Sequence, residues 1–366
     1  MINVFGSCVG IEELSEIKTS IDNQWLGLGK KVETFEKMMA QKTGLSDFVC
    51  VDNCSNGLYM ALSILDLPKG SEVVLPATTW ISCANAVLLA GLKPVFADVS
   101  YETVNVTTET IQEAITRKTK AVMVVHYAGL PVITELSLPV IADCAHAVDS
   151  YINYPGGPRH IADFYDISVF SFDSMKNIAC GELGGITSPN KEYTDRARVL
   201  RYCGIEKSGL QASTDKKRWW EYECKTPFIK MLPNDISASI AIAQFKKLEI
   251  LQLKRRLIWE KYSQQLKNTS WLLVPPEIPD FVKHSYFSYF IKVLNGRRDE
   301  LARYLLNNGI FCTVRYHPLH LMKCFKSKSE LPVAEKLNDE LLNIPLHPNL
   351  TEREVDYIIE KIKSFS

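Results

Sequence analysis

The residue best able to form a covalent bond is Lys176, in the segment VFSFDSMKNIACGELGG (169–185). An apolar run there ends in Ser171, and the lysine is followed by Asn177 and a glycine-rich stretch containing Gly181, Gly184 and Gly185. A lysine on the surface stays charged and inert. One held in a mostly buried turn loses proton affinity to desolvation, and its neutral amine condenses with an aldehyde.

Three earlier segments supply what a phosphorylated aromatic aldehyde needs from a protein. PVIADCAHAVDS (139–150) is an apolar strand ending in Asp143, with His146 just beyond it. A carboxylate at a buried strand end can keep a ring nitrogen protonated, and a nearby imidazole can bond ring substituents. Read alone, Asp143 equally suits a helix N-cap and His146 a satisfied core histidine. LPATTWISCANAV (75–87) places Trp80 just after a strand and a proline, where an indole can stack on a pyridine or simply fill the core. DNCSNGLYMAL (52–62) sets Ser55 and Asn56 between a strand and a helix start; backbone N–H groups and the Ser55 hydroxyl there can hold a phosphate, or one of the two can cap the helix.

The elements that must position these groups are short. Candidate strands run over 48–51, 72–75, 93–96, 121–126, 140–143 and 167–172, each apolar on both faces as buried parallel strands are. Between them lie helical stretches. One begins near Ser55 and stripes Leu58, Leu62 and Leu65; another runs from about Trp80 to Leu89. This alternation predicts βαβ units in a mostly parallel sheet, which binds ligands at the carboxyl ends of its strands. All the groups named above follow strands directly.

From Asn234 the pattern reads as one long helical region to about Lys267. A smaller α/β alternation follows: a strand at 288–293, a helix at 298–308 stopped by Gly309, a strand at 311–316, and a last helix opened by the capping box of Thr351 and Glu354. The polar, basic and aromatic stretch at 205–230 is expected to be a long loop or hairpin. A chain of 366 residues exceeds the usual single core, and we expect a large domain over 1–233 and a small one over 234–366.

Composition narrows the partners. The 42 Lys and Arg balance the 42 Asp and Glu without a long run of one sign, which disfavours nucleic acid and anionic membrane and favours a small-molecule substrate. The first residues lack a basic start followed by an apolar run, and no stretch is long and apolar enough to span a bilayer. The ten cysteines form no CxxC pairs and no zinc spacing, so reduced thiols in a cytoplasm, and no metal, are expected.

In this order the segments resemble those of the DegT/DnrJ/EryC1/StrS sugar aminotransferases. FSFDSMKNIACGELGG is similar to a pattern written FSFxxxKNixxGEgGG, and WLGLGKKVETFE (25–36), TKAVMVVHYAG (119–129), VIADCAHA and RYHPLH (315–320) also fit, so the resemblance runs along essentially the whole chain. It implies a three-layer αβα fold of type I, pyridoxal 5'-phosphate as cofactor, and a homodimer that builds each site from two chains. Residue by residue it implies Lys176 as the Schiff-base lysine and Asp143 as partner of the pyridinium. His146 would lie by the phenolic oxygen, where the family more often has Gln, and Trp80 would lie on the ring. Ser55, Asn56 and Ser171 would hold the phosphate, and Lys230 would reach the neighbouring subunit's phosphate in place of an Asn.

The implied reaction moves an amino group from glutamate to a keto-sugar, most often nucleotide-linked, for surface polysaccharide or secondary metabolites. A small phosphorylated ketone or a free keto-sugar is the alternative acceptor. Related sugar dehydratases carry His in place of the lysine, so Lys176 favours transamination over dehydration; a non-catalytic regulator is the remaining reading. Lys216, Lys217, Arg218, Trp219 and Trp220 are candidates to contact a diphosphate or base, or else form a solvated or interfacial hairpin. Arg315, His317 and His320 fall at substrate-proximal positions with no role assigned. Leu232 stands where the family commonly has Arg, and the segment GLPVITELSLP is too short for the helix usual there.

Overall fold

The structure is a computed structural model that describes residues 1–206, 222–325 and 327–365. The expected central sheet is present, with seven strands in the order β1-β9-β8-β5-β4-β2-β3. These are Val49–Val51 (β1), Glu72–Pro76 (β2), Lys93–Ala97 (β3), Thr119–Val125 (β4), Val140–Asp143 (β5), Ile167–Ser171 (β8) and Gly184–Thr187 (β9). Every residue of β1, β5, β8 and β9 is buried. Only β9 runs against its neighbours, pairing antiparallel with both β1 and β8, so the other six strands share one carboxyl edge.

In this sheet β9 is the strand missing from the sequence reading, because glycine is a poor strand former and Gly184 and Gly185 read as a turn. Packing explains them. A Cβ on Gly185 would lie 2.2 Å from the Phe48 ring, and one on Gly184 would lie 2.5 Å from the backbone of Asn53. The sheet therefore tolerates no side chain where β9 passes under the phenyl ring and beside the loop after β1.

Helix α3 (Cys54–Leu65) lies over this part of the sheet, with Gly57 allowing contact against Val169. Helix α4 is Ser82–Leu89, preceded by the Trp80–Ile81 turn. The predicted long helix is two: α7 (Asp235–Lys246) and α8 (Leu248–Leu266). At the break Lys247 Nζ bonds Glu13 Oε1 at 2.5 Å, which pins α7 beside the N-terminal helix α1 (Ile11–Asp22) while α8 leaves on a new axis. Among the described residues the helices between α4 and α7 are α5 (Thr108–Ala114) and α6 (Lys191–Leu200), and α2 is Lys30–Thr43.

The C-terminal elements form a three-stranded antiparallel sheet of Leu272–Leu273 (β10), Tyr289–Val293 (β12) and Leu341–Ile344 (β13). With α8, α9 (Arg298–Asn307) and α11 (Glu352–Lys363) it encloses a second buried cluster that includes Tyr262, Tyr289, Ile291, Leu301 and Ile358. The Thr351–Glu354 capping box is present at α11, and Gly309 sits at φ 75° beyond α9. A further small sheet joins the hairpin Tyr151–Tyr154 (β6) and Gly157–His160 (β7) to Val282–Lys283 (β11).

The segment 311–316 is not the expected strand. After a single bridge between Thr313 and Asn343, the Arg315 N–H donates to Asn343 Oδ1 at 2.9 Å. A side-chain carbonyl thus replaces the next ladder bond, and the chain turns inward. No helix among the described residues is long and apolar enough to cross a membrane.

Gly185→Ala is expected to destabilise the protein by about 1–3 kcal/mol, the usual cost of overpacking a dense core. Urea unfolding, comparing midpoints at equal slope, checks it.

Candidate active site

A cavity of about 900 Å³ opens at the carboxyl edge of the central sheet. The loops after β1, β2, β5 and β8 line it on one side, Thr313–Tyr316 and the N-terminal residues Val4 and Phe5 on the other. Asp143 and Ser171 are the last residues of adjacent strands β5 and β8. Lys176 follows β8 in a turn closed by its own N–H donating to the Asp173 carbonyl at 2.9 Å.

The side chain of Lys176 is half-buried, with Nζ 4.8 Å from the centre of the Phe287 ring. Burial lowers the proton affinity of its amine, the positive Arg315 lowers it further, and the Asp143 charge works in the opposite direction. Asp143 is buried, and that burial raises its carboxyl pKa. Against this, Oδ1 accepts from the Ala145 N–H at 2.8 Å and Oδ2 from the Cys83 thiol at 3.3 Å. No helix starts at Asp143, so it is not a helix cap. Burial thus disfavours the charged form of both groups in the same cavity.

His146 is buried and stacked on Phe287, with ring centres 3.9 Å apart and planes 12° from parallel. Its Nε2 pairs with the Tyr316 hydroxyl at 3.3 Å, whereas Nδ1 is buried with no partner. Burial, reinforced by Lys176 and Arg315, holds its pKa well below the usual histidine value, so the ring is neutral.

At the other end, Asn53 is the cap of α3, its side chain accepting from the Asn56 N–H; neither Ser55 nor Asn56 holds that place. Both instead fall in the first turn and line the cavity, with Ser55 Oγ 2.7 Å from Ser82 Oγ and Asn56 Nδ2 donating to Asp52 Oδ2 at 2.7 Å. Ser171 also lines it, and Gly184 pairs with both Ser171 and Val51 in the sheet. Trp80 is 57% exposed at the rim, its ring 5.8 Å from Tyr316.

Of the residues singled out in the sequence, Ser55, Asn56, Trp80, Asp143, His146, Ser171 and Lys176 share this one cavity. Arg315 does as well. His317 and His320 do not: they pair with Asn338 and Glu335, both on α10 (Pro332–Glu340). Lys230 is exposed and is not among the lining residues of its own chain's cavity. Lys216, Lys217, Arg218, Trp219 and Trp220 lie outside the described residues. Phe5, Ser82, Cys83, Phe287 and Tyr316 went unnoticed in the sequence. Of these, Ser82 and Cys83, just after Trp80, and Tyr316, within RYHPLH, lay in segments already marked.

The chain matches the model of the DegT/DnrJ/EryC1/StrS aminotransferase family over residues 7–363. It is 32% identical to the dTDP-4-dehydro-2,3,6-trideoxy-D-glucose 4-aminotransferase of Saccharopolyspora spinosa, across 99% of this chain and 96% of that one. The chain belongs to this family. Its fold superposes on the aminotransferase TlmJ of Streptoalloteichus hindustanus with a TM-score of 0.93, at 34% identity and covering 100% and 98% of the two chains. A putative sugar aminotransferase of Streptococcus pneumoniae, Spr1654, solved in its PMP form, gives 0.91 at 25% identity over 100% and 98%. The protein is thus a sugar aminotransferase of the three-layer αβα type, and its cofactor is pyridoxal phosphate.

The cavity suits that group. The Asn53 cap takes the Asn56 N–H, whereas the Cys54 and Ser55 N–H groups have no intrahelical acceptor, and both residues line the cavity with Ser171. The unpartnered His146 Nδ1 shows that the polar inventory is not closed by the protein alone. Any side chain at Gly184 would press on Asn53, the cap of that helix.

Because Asp143 favours and Arg315 disfavours the charged amine, Asp143→Asn is expected to lower the pKa of Lys176 further and Arg315→Met to raise it. The check is the pH dependence of Lys176 carbamylation by cyanate in cofactor-free protein, followed by peptide mass spectrometry.

Proposed function

We propose that this aminotransferase moves an amino group from glutamate to a nucleotide-linked keto-deoxyhexose, in the making of surface polysaccharide or secondary-metabolite sugars. The observation that carries the reading is the convergence of the Lys176 amine and the Asp143 carboxylate on one cavity from adjacent parallel strands. The acceptor follows the relative from S. spinosa, whose name specifies a dTDP-linked 4-dehydro sugar.

Bound pyridoxal phosphate supplies a carbonyl that condenses with amines and a ring that withdraws electrons from the bonds beside the nitrogen. The rest of the chemistry falls to the chain. Lys176, whose proton affinity is lowered by burial and by Arg315, is the nucleophile that would tie down the cofactor. With its amine free, Lys176 would be the base that takes the donor's α-proton and delivers it to the carbon on the other side of the nitrogen, and it would run the same transfer backwards for the ketone. Asp143, whose burial disfavours a lone negative charge, is stabilised as the carboxylate by a protonated ring nitrogen and keeps that proton in place.

His146, neutral and fixed by Phe287 and Tyr316, orients a ring substituent, and Trp80 covers a face of the ring. Ser55, Asn56, Ser171 and the α3 N-terminus bind the phosphate. In this reading the chain forms a cytoplasmic homodimer in which Lys230 reaches the partner's phosphate, with a large domain over 1–233 and a small one over 234–366.

Lys176→Ala is expected to keep the fold, lose the near-visible absorbance band that follows loading with pyridoxal phosphate, and lose turnover by several orders of magnitude. An active variant would sink the assignment. For the acceptor, wild-type protein loaded with cofactor and glutamate should regain that band fastest with 4-keto sugar nucleotides. Faster recovery with small phosphorylated ketones or free keto-sugars would move the acceptor to those classes.

A further inference from the structure

Arg315 is a cation that the described structure leaves without a counterion. Its NH1 donates to the Tyr316 hydroxyl at 3.0 Å and its NH2 approaches the Met175 sulfur at 3.9 Å; no carboxylate among the described residues pairs with it. A guanidinium has five N–H donors in a planar fork, so most of its capacity is unspent. The fork is nevertheless held still. Phe5 lies 3.8 Å from its central carbon, and Phe287 lies 5.4 Å away. Behind it the backbone is anchored at both ends, with the Arg315 N–H donating to Asn343 Oδ1 and its carbonyl accepting from the Tyr127 hydroxyl at 2.6 Å.

We propose that Arg315 binds the carboxylate of the amino donor beside Lys176, which restricts the donor to α-amino acids. This rests on the aminotransfer reading above. The geometry selects a carboxylate in three ways. Arg315 and Lys176 are held over the same Phe287 ring, so an anion on the fork lies close to the reacting amine. An α-amino acid carries its carboxylate one carbon from its nitrogen, whereas the diphosphate of a sugar nucleotide lies across the sugar ring from a 4-keto carbon. A preorganised planar fork with apolar neighbours is also the arrangement that reads a carboxylate with two parallel bonds. Arg315 is then a binding residue that sets donor specificity; its charge also lowers the proton affinity of Lys176, an effect that both half-reactions share.

The test uses full-length protein loaded with pyridoxal phosphate, wild type against Arg315→Met and Arg315→Lys. In the half-reaction with glutamate, Arg315→Met is expected to raise the half-saturating concentration by about 10–100-fold, the equivalent of losing one charge-assisted hydrogen-bonded contact. Arg315→Lys should recover part of this loss. Any change through the Lys176 pKa falls on both half-reactions, so the marker of donor binding is the difference between them: glutamate half-saturation should rise at least about tenfold more than that of the keto-sugar nucleotide. Calorimetry with glutarate, which has the carboxylates and no amine, gives a readout apart from turnover, and its affinity should fall by a similar factor. Unchanged glutamate half-saturation, equal glutarate affinity in wild type and Arg315→Met, or a parallel loss for the sugar nucleotide would each overturn the proposal. A wild-type protein that takes up cofactor but responds to no amino acid defeats the aminotransfer reading itself. That result is distinct, because it shows before any substitution is made.

Discussion

A lysine amine and a carboxylate facing one partly dry cavity govern the rest of this molecule. Each ionised form is costly there, and each is made tolerable by the other: Asp143 supports charge on Lys176, and Lys176 supports charge on Asp143. Such a pair persists only if the surrounding elements hold it open against collapse and solvent. The parallel sheet does this by ending β5 and β8 side by side at the same edge, so that one group is the last residue of a strand and the other stands in the turn after its neighbour. The reversed strand β9 locks that turn, returning the chain through Gly184 and Gly185 where only glycine fits between Asn53 and Phe48.

The opposite wall of the cavity is not built by the sheet. Phe287 reaches it from the segment before β12, and Arg315 and Tyr316 reach it from the turn that Asn343 creates in β13. Arg255 on α8 is fully buried and donates to the Phe287 and Leu346 carbonyls at 3.3 Å. Burial without a carboxylate lowers its pKa to about 10, yet this leaves it charged at neutral pH. Its role is to tie the Phe287 segment to the end of β13. The first residues add the last piece: Ile2 bridges to Ile310, the Leu346 N–H donates to the Val4 carbonyl, and Phe5 comes to rest on Arg315. The site is assembled from residues as far apart in sequence as Val4 and Tyr316.

This division explains what could be read in the sequence. Asp143, Ser171, Lys176, Ser55, Asn56 and Trp80 lie at or just after strands whose apolar runs are obvious, and a group at a strand end inherits its position from that strand. The six parallel strands were legible for the same reason. β9 was not, because its glycines answer to contacts with Phe48 and Asn53 that are distant in sequence. The 311–316 segment has strand composition but lost its ladder to one Asn side chain. The break at Lys247 comes from a bond to Glu13, more than two hundred residues away. Phe287 and Tyr316 are aromatic residues among polar neighbours in sequence, and nothing in their type singles them out until the fold turns them toward His146.

The charge balance of the cavity has a direction. His146 is neutral, and Asp143 is matched against Lys176, which leaves the Arg315 guanidinium as the excess. At the far end Asp52 and Glu182 have carboxyl pKa values raised by burial, and Glu182 is raised further by Asp173 and Asp52, so negative charge gathers beside the α3 N-terminus. A phosphate seated on that helix end would meet these carboxylates, and the helix N–H groups alone offset such repulsion only in part. An additional cation near that end would ease it, and among the described lining residues the cations, Lys176 and Arg315, stand against Phe287 instead. Among the described residues, therefore, positive charge is sparse at the phosphate end of the cavity.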